Sequence, residues 1–441
     1  MIVVCIIVLS VIGIILGFAK SKFILNPLTV MFLLWGIIVP LSSLGLYDVD
    51  IPSEKAYFAI LIGLIAFLIG GLLGWRPSRF RIKLKKSGNG DRIAYSYVWN
   101  KKLLYFLITA SMAYYLYKLV LVISMLRSGA TFYVIRELAT AEDTNELRTS
   151  SFIIAVQALI ASPTSFLMVA IMPIELLKEG KKNKLLIRLS IALMVLWVLT
   201  SGGRWVIMWF AAYFACVFLM KKGEIQNIQW KRLLKRFRMP ILIGLILLVV
   251  FLLYITLSRK GNDVDLLKEI FVYFVAPVPY FSHNIQTIDT NYSDIYGLGV
   301  SSFYGFLYPL FLVIRLIIGH YPEKVLDIYY MSFYMFEKPT YIGGNIYMNA
   351  YVTAFYQPYL DGRLLGVFII LFILGYICCK SFYNTQKDNN PHNMLIYLLL
   401  LQKVMFSFVR FYFTMQPQGI SFILAFFALK RIAIDSKAYI E

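Results

Sequence analysis

Apolar runs of 16–24 residues recur along the chain, and they limit its fold more than any other feature. A helix of about 20 apolar residues matches the hydrocarbon thickness of a bilayer. The 441 residues are 60% hydrophobic, more apolar surface than a soluble protein of this size buries. The sequence therefore predicts an all-α polytopic integral membrane protein. Spans are expected near 2–19, 24–46, 56–75, 103–126, 151–173, 185–200, 204–220, 239–257, 364–380, 394–409 and 419–434. That makes about 11 transmembrane helices, in a bundle of about eight over 1–257 and one of about three over 364–441, with a large loop at 258–363 between them. Within that loop, 266–288 and 301–319 are apolar but interrupted by Pro277, Pro279 and Pro309. They are read as two further spans (13 in all), as re-entrant hairpins, or as helices lying on the surface.

The net charge of +20 suggests nucleic acid only until its distribution is considered. Residues 76–102 hold nine Lys/Arg and one acid, and 221–238 hold seven and one. Residues 47–55 hold one basic residue and three acids, and 258–363 hold seven and nine. Basic residues thus alternate with the spans, as the positive-inside rule requires, which places the N-terminus outside and the C-terminus in the cytoplasm. No nucleic-acid partner is expected; membrane lipid is. The first apolar run starts at Ile2 with no basic residue before it, so it reads as a retained span and not as a cleaved signal. The four cysteines (Cys5, Cys216, Cys378, Cys379) all lie in apolar runs and outline no disulfide framework.

This topology puts Arg204, in the stretch "SGGRWVI", on a tight outer turn that Gly202 and Gly203 permit. Arg136, Arg259, Arg363 and Arg410 fall at or near the same membrane edge, the side that positive charge ordinarily avoids. A guanidinium offers a planar fork to phosphate and sugar oxygens, so this set is a candidate anion-binding surface. Lys118 and Lys403 fall inside spans and are candidates for a polar cavity. There is no P-loop, HExxH or GxSxG, and no metal or other cofactor is implied. The "DVD" tripeptides at 48–50 and 263–265 are read as incidental. His283 is the candidate general base of the outer loop, with Asp361 and Glu137 as the alternative carboxylates.

Four stretches resemble the Wzy-type O-antigen and capsule repeat-unit polymerases. They are "SGGRWVI" (201–207), the "IRE" of Ile135–Arg136–Glu137, "KEIFVYFVAPVPYF" (268–281) and "NIYMNAYVTAFYQPYLDGRLLG" (345–366). The likeness runs from about residue 100 to 425, on loose motifs. Arg363 departs from it, standing where a small or apolar residue is more usual, and the paired arginine–glycine repeats of some members are absent. The resemblance implies a nucleotide-sugar-independent glycosyltransferase of a bacterial cell membrane. Such an enzyme moves a growing glycan from undecaprenyl pyrophosphate to a fresh lipid-linked repeat unit at the outer leaflet. It further implies Arg204 and Arg259 on the pyrophosphate, Arg136 and Arg410 on the second lipid-linked substrate, and His283 as base. Asn345, Tyr356, Arg363 and Asp361 then contact substrate, and a flippase and a chain-length regulator of the same pathway are expected partners. An O-antigen ligase, a flippase or other transporter, and a non-catalytic scaffold are the competing readings.

Overall fold

The computed structural model describes residues 1–75, 94–130, 134, 150–178, 180–201, 205–222, 265–333, 335, 339–349 and 351–434. Its helices are α1 (Ile2–Ser21), α2 (Pro27–Ser42), α3 (Glu54–Gly74) and α4 (Lys101–Arg127). Next, α5 runs Ser151–Val156, passes through a π-helical turn at Gln157–Ala161 and continues over Ser162–Leu176. Then come α6 (Lys184–Ser201), α7 (Trp205–Lys222), α8 (Leu266–Val275), α9 (Pro277–Asn291), α10 (Val300–Ile318) and α11 (Glu323–Ser332). The last are α12 (Tyr356–Lys387), α13 (Pro391–Met405) and α14 (Gln416–Phe427). Among the described residues seven helices are long and apolar enough to cross a membrane: α1, α3, α4, α5, α6, α10 and α12. The chain is an all-α polytopic membrane protein, as its apolar runs predict. The expected span at 239–257 lies outside the described residues.

One expected span is only half helix. Within 419–434, α14 ends at Phe427, and Leu429–Ile434 forms a strand paired antiparallel with Ala94–Trp99. Ala94–Trp99 is rich in aromatic residues and Leu429–Ile434 carries two isoleucines, and their backbone groups pair with each other rather than along a helix. The apolar window over 419–434 averaged across that change of period.

The bundle has two ends. At one, Gln386 Nε2 donates to the Ser21 carbonyl (3.4 Å), the Lys20 ammonium lies 6.0 Å from the Trp75 ring, and the two-stranded ribbon closes on Asn100 and Phe427. At the other, loop-rich end, α8 and α9 form a cap. Ser282 of α9 donates to Ser53 Oγ (2.8 Å), and Ser53 in turn accepts from the Ala56 amide to cap α3. Val352 N–H donates to Val409 O (2.9 Å) and Ala354 N–H to Ser407 O (2.6 Å), which joins the segment before α12 to the turn after α13.

α8 and α9 meet in a break at Ala276–Pro277, where the proline removes a helix donor. α10 is long enough to cross, but α11 doubles back along it. The Ser301 and Ser332 hydroxyls are 2.6 Å apart, and the Tyr304 and Tyr329 rings are 5.1 Å apart. This helical hairpin starts and finishes at the loop-rich end.

The tightest packing joins α3 to α12, which run parallel. A Cβ on Gly70 would fall 2.1 Å from Phe372 O, one on Gly74 2.3 Å from Tyr376 O, and one on Gly375 2.3 Å from Phe67 O. Backbone touches backbone along this seam, the small-residue contact that replaces hydrophobic driving force inside a membrane. Two lysines that the sequence places within spans are buried. Lys403 donates to Gln402 Oε1 (2.7 Å) and to Gln418 Oε1, with the Phe413 ring 5.4 Å away. Lys118 packs 5.6 Å from the Tyr114 ring.

Candidate functional site

The α3–α12 seam delivers the first turns of both helices to one place at the loop-rich end. There a cleft of about 490 Å³ opens, with Lys55, Asp289, Tyr296, Tyr359, Arg363 and Leu365 among its walls. Lys55 sits in the first turn of α3, where the helix dipole disfavours a cation unless a partner compensates. Its partner is Asp289 in the last turn of α9, with Nζ 2.6 Å from Oδ2. The Tyr359 hydroxyl donates to both oxygens of the same carboxylate, at 2.9 and 2.8 Å. Arg363 Nε approaches Oδ1 at 3.6 Å. Two cations and one anion therefore share the cleft, leaving it a net positive charge.

Arg363 is held in an unusual way. α12 is broken at Gly362–Arg363, and Arg363 has φ 53 and ψ −139. A non-glycine residue in such a backbone region costs about 1–3 kcal/mol, and strain of this kind collects at functional sites. The break swings the guanidinium across α9. Nη2 donates to the carbonyls of Tyr292 and Ser293, both at 3.0 Å, and the guanidinium carbon lies 4.8 Å from the centre of the Tyr296 ring. Nη1 is buried and has no hydrogen-bond partner among the described residues. A buried donor left unpaired costs about 1–3 kcal/mol. Beside these polar groups Leu365 is 68% exposed on the outside of the bundle. The cleft thus presents cationic, aromatic and apolar surfaces in sequence, a shape suited to an amphiphile with an anionic head.

The other site candidates are dispersed. Arg136, Arg204 and Arg259 lie outside the described residues; α6 ends at Ser201 and α7 begins at Trp205. His283 is exposed on α9, about 9 Å along the helix and about 120° around it from Asp289, so the cleft does not include it. Asp361 is buried, facing away from the cleft, and accepts the amides of Ser301 (2.9 Å) and Ser302 (2.8 Å). Tyr356 is wholly buried with its hydroxyl on Met331 O (2.9 Å), leaving no ring face for a sugar. Asn345 is exposed in a hairpin turn, where it and Gly344 both have φ 57 and Ile346 N–H closes the turn on Gly343 O (2.8 Å). Arg410 is half-buried; its backbone pairs with Thr353, and Nη1 approaches Met415 Sδ at 3.0 Å. Of the expected site residues that are described, Arg363 alone lines the cleft. Lys55, Asp289 and Tyr359 join it without having been singled out. Lys55 did leave a trace, as the one basic residue of an acidic loop and in the first turn of a helix.

Among the described residues no group of three His, Cys, Asp or Glu side chains is arranged to hold a metal ion. No family model matches the sequence, and no curated protein and no solved structure matches the chain.

Proposed function

We propose that this protein polymerises undecaprenyl-pyrophosphate-linked oligosaccharide repeat units at the outer leaflet of a bacterial cell membrane, making capsular, O-antigen or exopolysaccharide chains. The observation that carries the reading is the cleft at the head of α3 and α12, where Lys55 and Arg363 stand beside exposed Leu365. The charge alternation of the loops supports placing this end outside, with the N-terminus.

In this reading the pyrophosphate of the growing chain lies against Arg363 and Lys55, and its prenyl tail leaves the cleft past Leu365 into lipid. A hydroxyl on the non-reducing end of the incoming repeat unit attacks the anomeric carbon of the chain. The new glycosidic bond forms as the bond from that carbon to the pyrophosphate oxygen breaks, and the oxygen keeps the electron pair. Arg363 and Lys55 stabilise the charge developing on the leaving group, which is the largest service a preorganised site provides. Asp289, the carboxylate of the cleft, takes the proton of the attacking hydroxyl. The faces of Tyr296 and Tyr359 receive sugar rings. A flippase supplying the substrate and a regulator of chain length are the partners this chemistry calls for.

The test is surface glycan sized on a gel, from cells lacking the gene and complemented with wild type, Arg363→Ala or Lys55→Ala at matched membrane levels. Single repeat units in the knockout and in both variants are expected. Full-length chains from Arg363→Ala sink the assignment, and absence of any repeat unit at the outer leaflet in the knockout replaces it with a flippase.

A further inference from the structure

A second surface at the loop-rich end takes no part in the cleft. Trp205 opens α7, Tyr273 belongs to α8, Tyr351 lies in the segment before α12, and all three are half-buried. Their rings meet. Trp205 stacks on Tyr273 at 6.1 Å, and Tyr351 stands edge-on to Tyr273 at 5.6 Å and to Trp205 at 6.2 Å. Beneath them Phe406 lies 5.6 Å from Trp205 and Phe408 6.1 Å from Tyr273, both buried. Tryptophan and tyrosine also gather at membrane interfaces, but such belts face lipid from the rim of a bundle. These rings converge from α7, α8, the segment before α12 and the turn after α13, and pack against the buried core. The backbone alongside is strained. Thr353, β-branched and fully buried, has φ 68, and its backbone pairs with that of Arg410.

We infer that Trp205, Tyr273 and Tyr351 form a carbohydrate-binding platform that holds the glycan chain away from the reacting end. The inference rests on the reading of the cleft as a glycan-polymerising site. Rigid aromatic faces over a packed base match the apolar C–H faces of sugar rings, at small entropic cost. The Tyr351 hydroxyl adds a hydrogen bond to a sugar hydroxyl. The α8–α9 cap links platform to cleft. Tyr273 and Asp289 are separated by about 24 Å of helix at most, a span that a glycan of several rings covers. A chain held at both places stays bound between additions, so the platform governs how long the polymer grows.

The experiment uses the full chain in nanodiscs and, as probe, oligosaccharide fragments cut from the cell's own surface polysaccharide. Binding is followed by calorimetry and chain length by gel. Tyr351→Ala and Tyr273→Ala are expected to weaken fragment binding about tenfold and to shorten the polymer, while the first linkages still form. Tyr351→Phe keeps the ring and is expected to keep most of the affinity, which separates lost stacking from misfolding. No fragment binding by the wild type, or unchanged affinity and unchanged chain lengths in both alanine variants, overturns the platform. Arg363→Ala, tested beside them, is expected to stop every linkage but still bind fragments. If it polymerises normally while the platform variants lose binding, the cleft assignment falls and the platform stands.

Discussion

Asp361 caps a helix 60 residues away in sequence, and its removal has a calculable effect. The N-terminus of α10 follows Gly299, which has φ 93 and no side chain to offer the first amides of the helix. The Asp361 carboxylate takes that place, with Oδ1 on the Ser301 amide and Oδ2 on the Ser302 amide at 2.9 and 2.8 Å. Hydrogen bonds to a charged group contribute about 1.5–3 kcal/mol each, and in Asp361→Ala two buried amides also lose their acceptor. A loss of about 3–5 kcal/mol is expected, concentrated in the α10–α11 hairpin. Asp361→Asn keeps one acceptor oxygen and should lose about half of that. Because local opening is read directly by hydrogen exchange, the assay is amide exchange of residues 300–332 in nanodiscs. A cost of about 3 kcal/mol corresponds to exchange on the order of 100-fold faster. If Asp361→Ala, folded and inserted, protects 300–332 as well as wild type does, the carboxylate is not what anchors the hairpin.

Two further outcomes follow from close backbone geometry. Gly70→Ala puts a methyl 2.1 Å from the Phe372 carbonyl oxygen, so α3 and α12 must separate, at about 1–3 kcal/mol; a thermal melt in detergent and the polymer ladder should both suffer, though Gly70 lies far from the cleft. Asn345→Gly should leave polymer length unchanged, because φ 57 suits glycine at least as well, whereas Asn345→Val should weaken the turn by about 1–2 kcal/mol. A shortened ladder from Asn345→Gly would instead restore this side chain as a sugar contact.

The helices were legible because their signal is local: a run of apolar residues reports its own span. Segments in which that signal was mixed were not, as Leu429–Ile434 shows, since an averaged window does not separate a helix end from the strand that follows. The site was legible in one residue. The stretch "YLDGRLLG" carried both Asp361 and Arg363 into the substrate-contact set, but the break at Gly362–Arg363 in α12 turns them to opposite tasks, one capping α10 and the other facing the cleft. Lys55 and Asp289 meet across 234 positions of sequence, a distance at which neither periodicity nor spacing carries information. Their pairing follows from the α3–α12 seam, and that seam was hidden because glycines within an apolar run read as mere interruptions.

That seam has a consequence for how the protein meets its lipid surroundings. A bilayer that thickens or thins by a few ångströms is accommodated chiefly by helix tilt. Two neighbouring helices that tilt independently slide past one another, and the groups at their heads drift apart. Here Gly70, Gly74 and Gly375 let backbone lock on backbone, with no side chain between to act as a bearing. α3 and α12 must lean as one, and Lys55 and Arg363 keep their separation as they do. The cleft is thereby insulated from the thickness of the membrane, so changes in acyl-chain length or growth temperature would alter substrate supply before they alter the spacing of its charges.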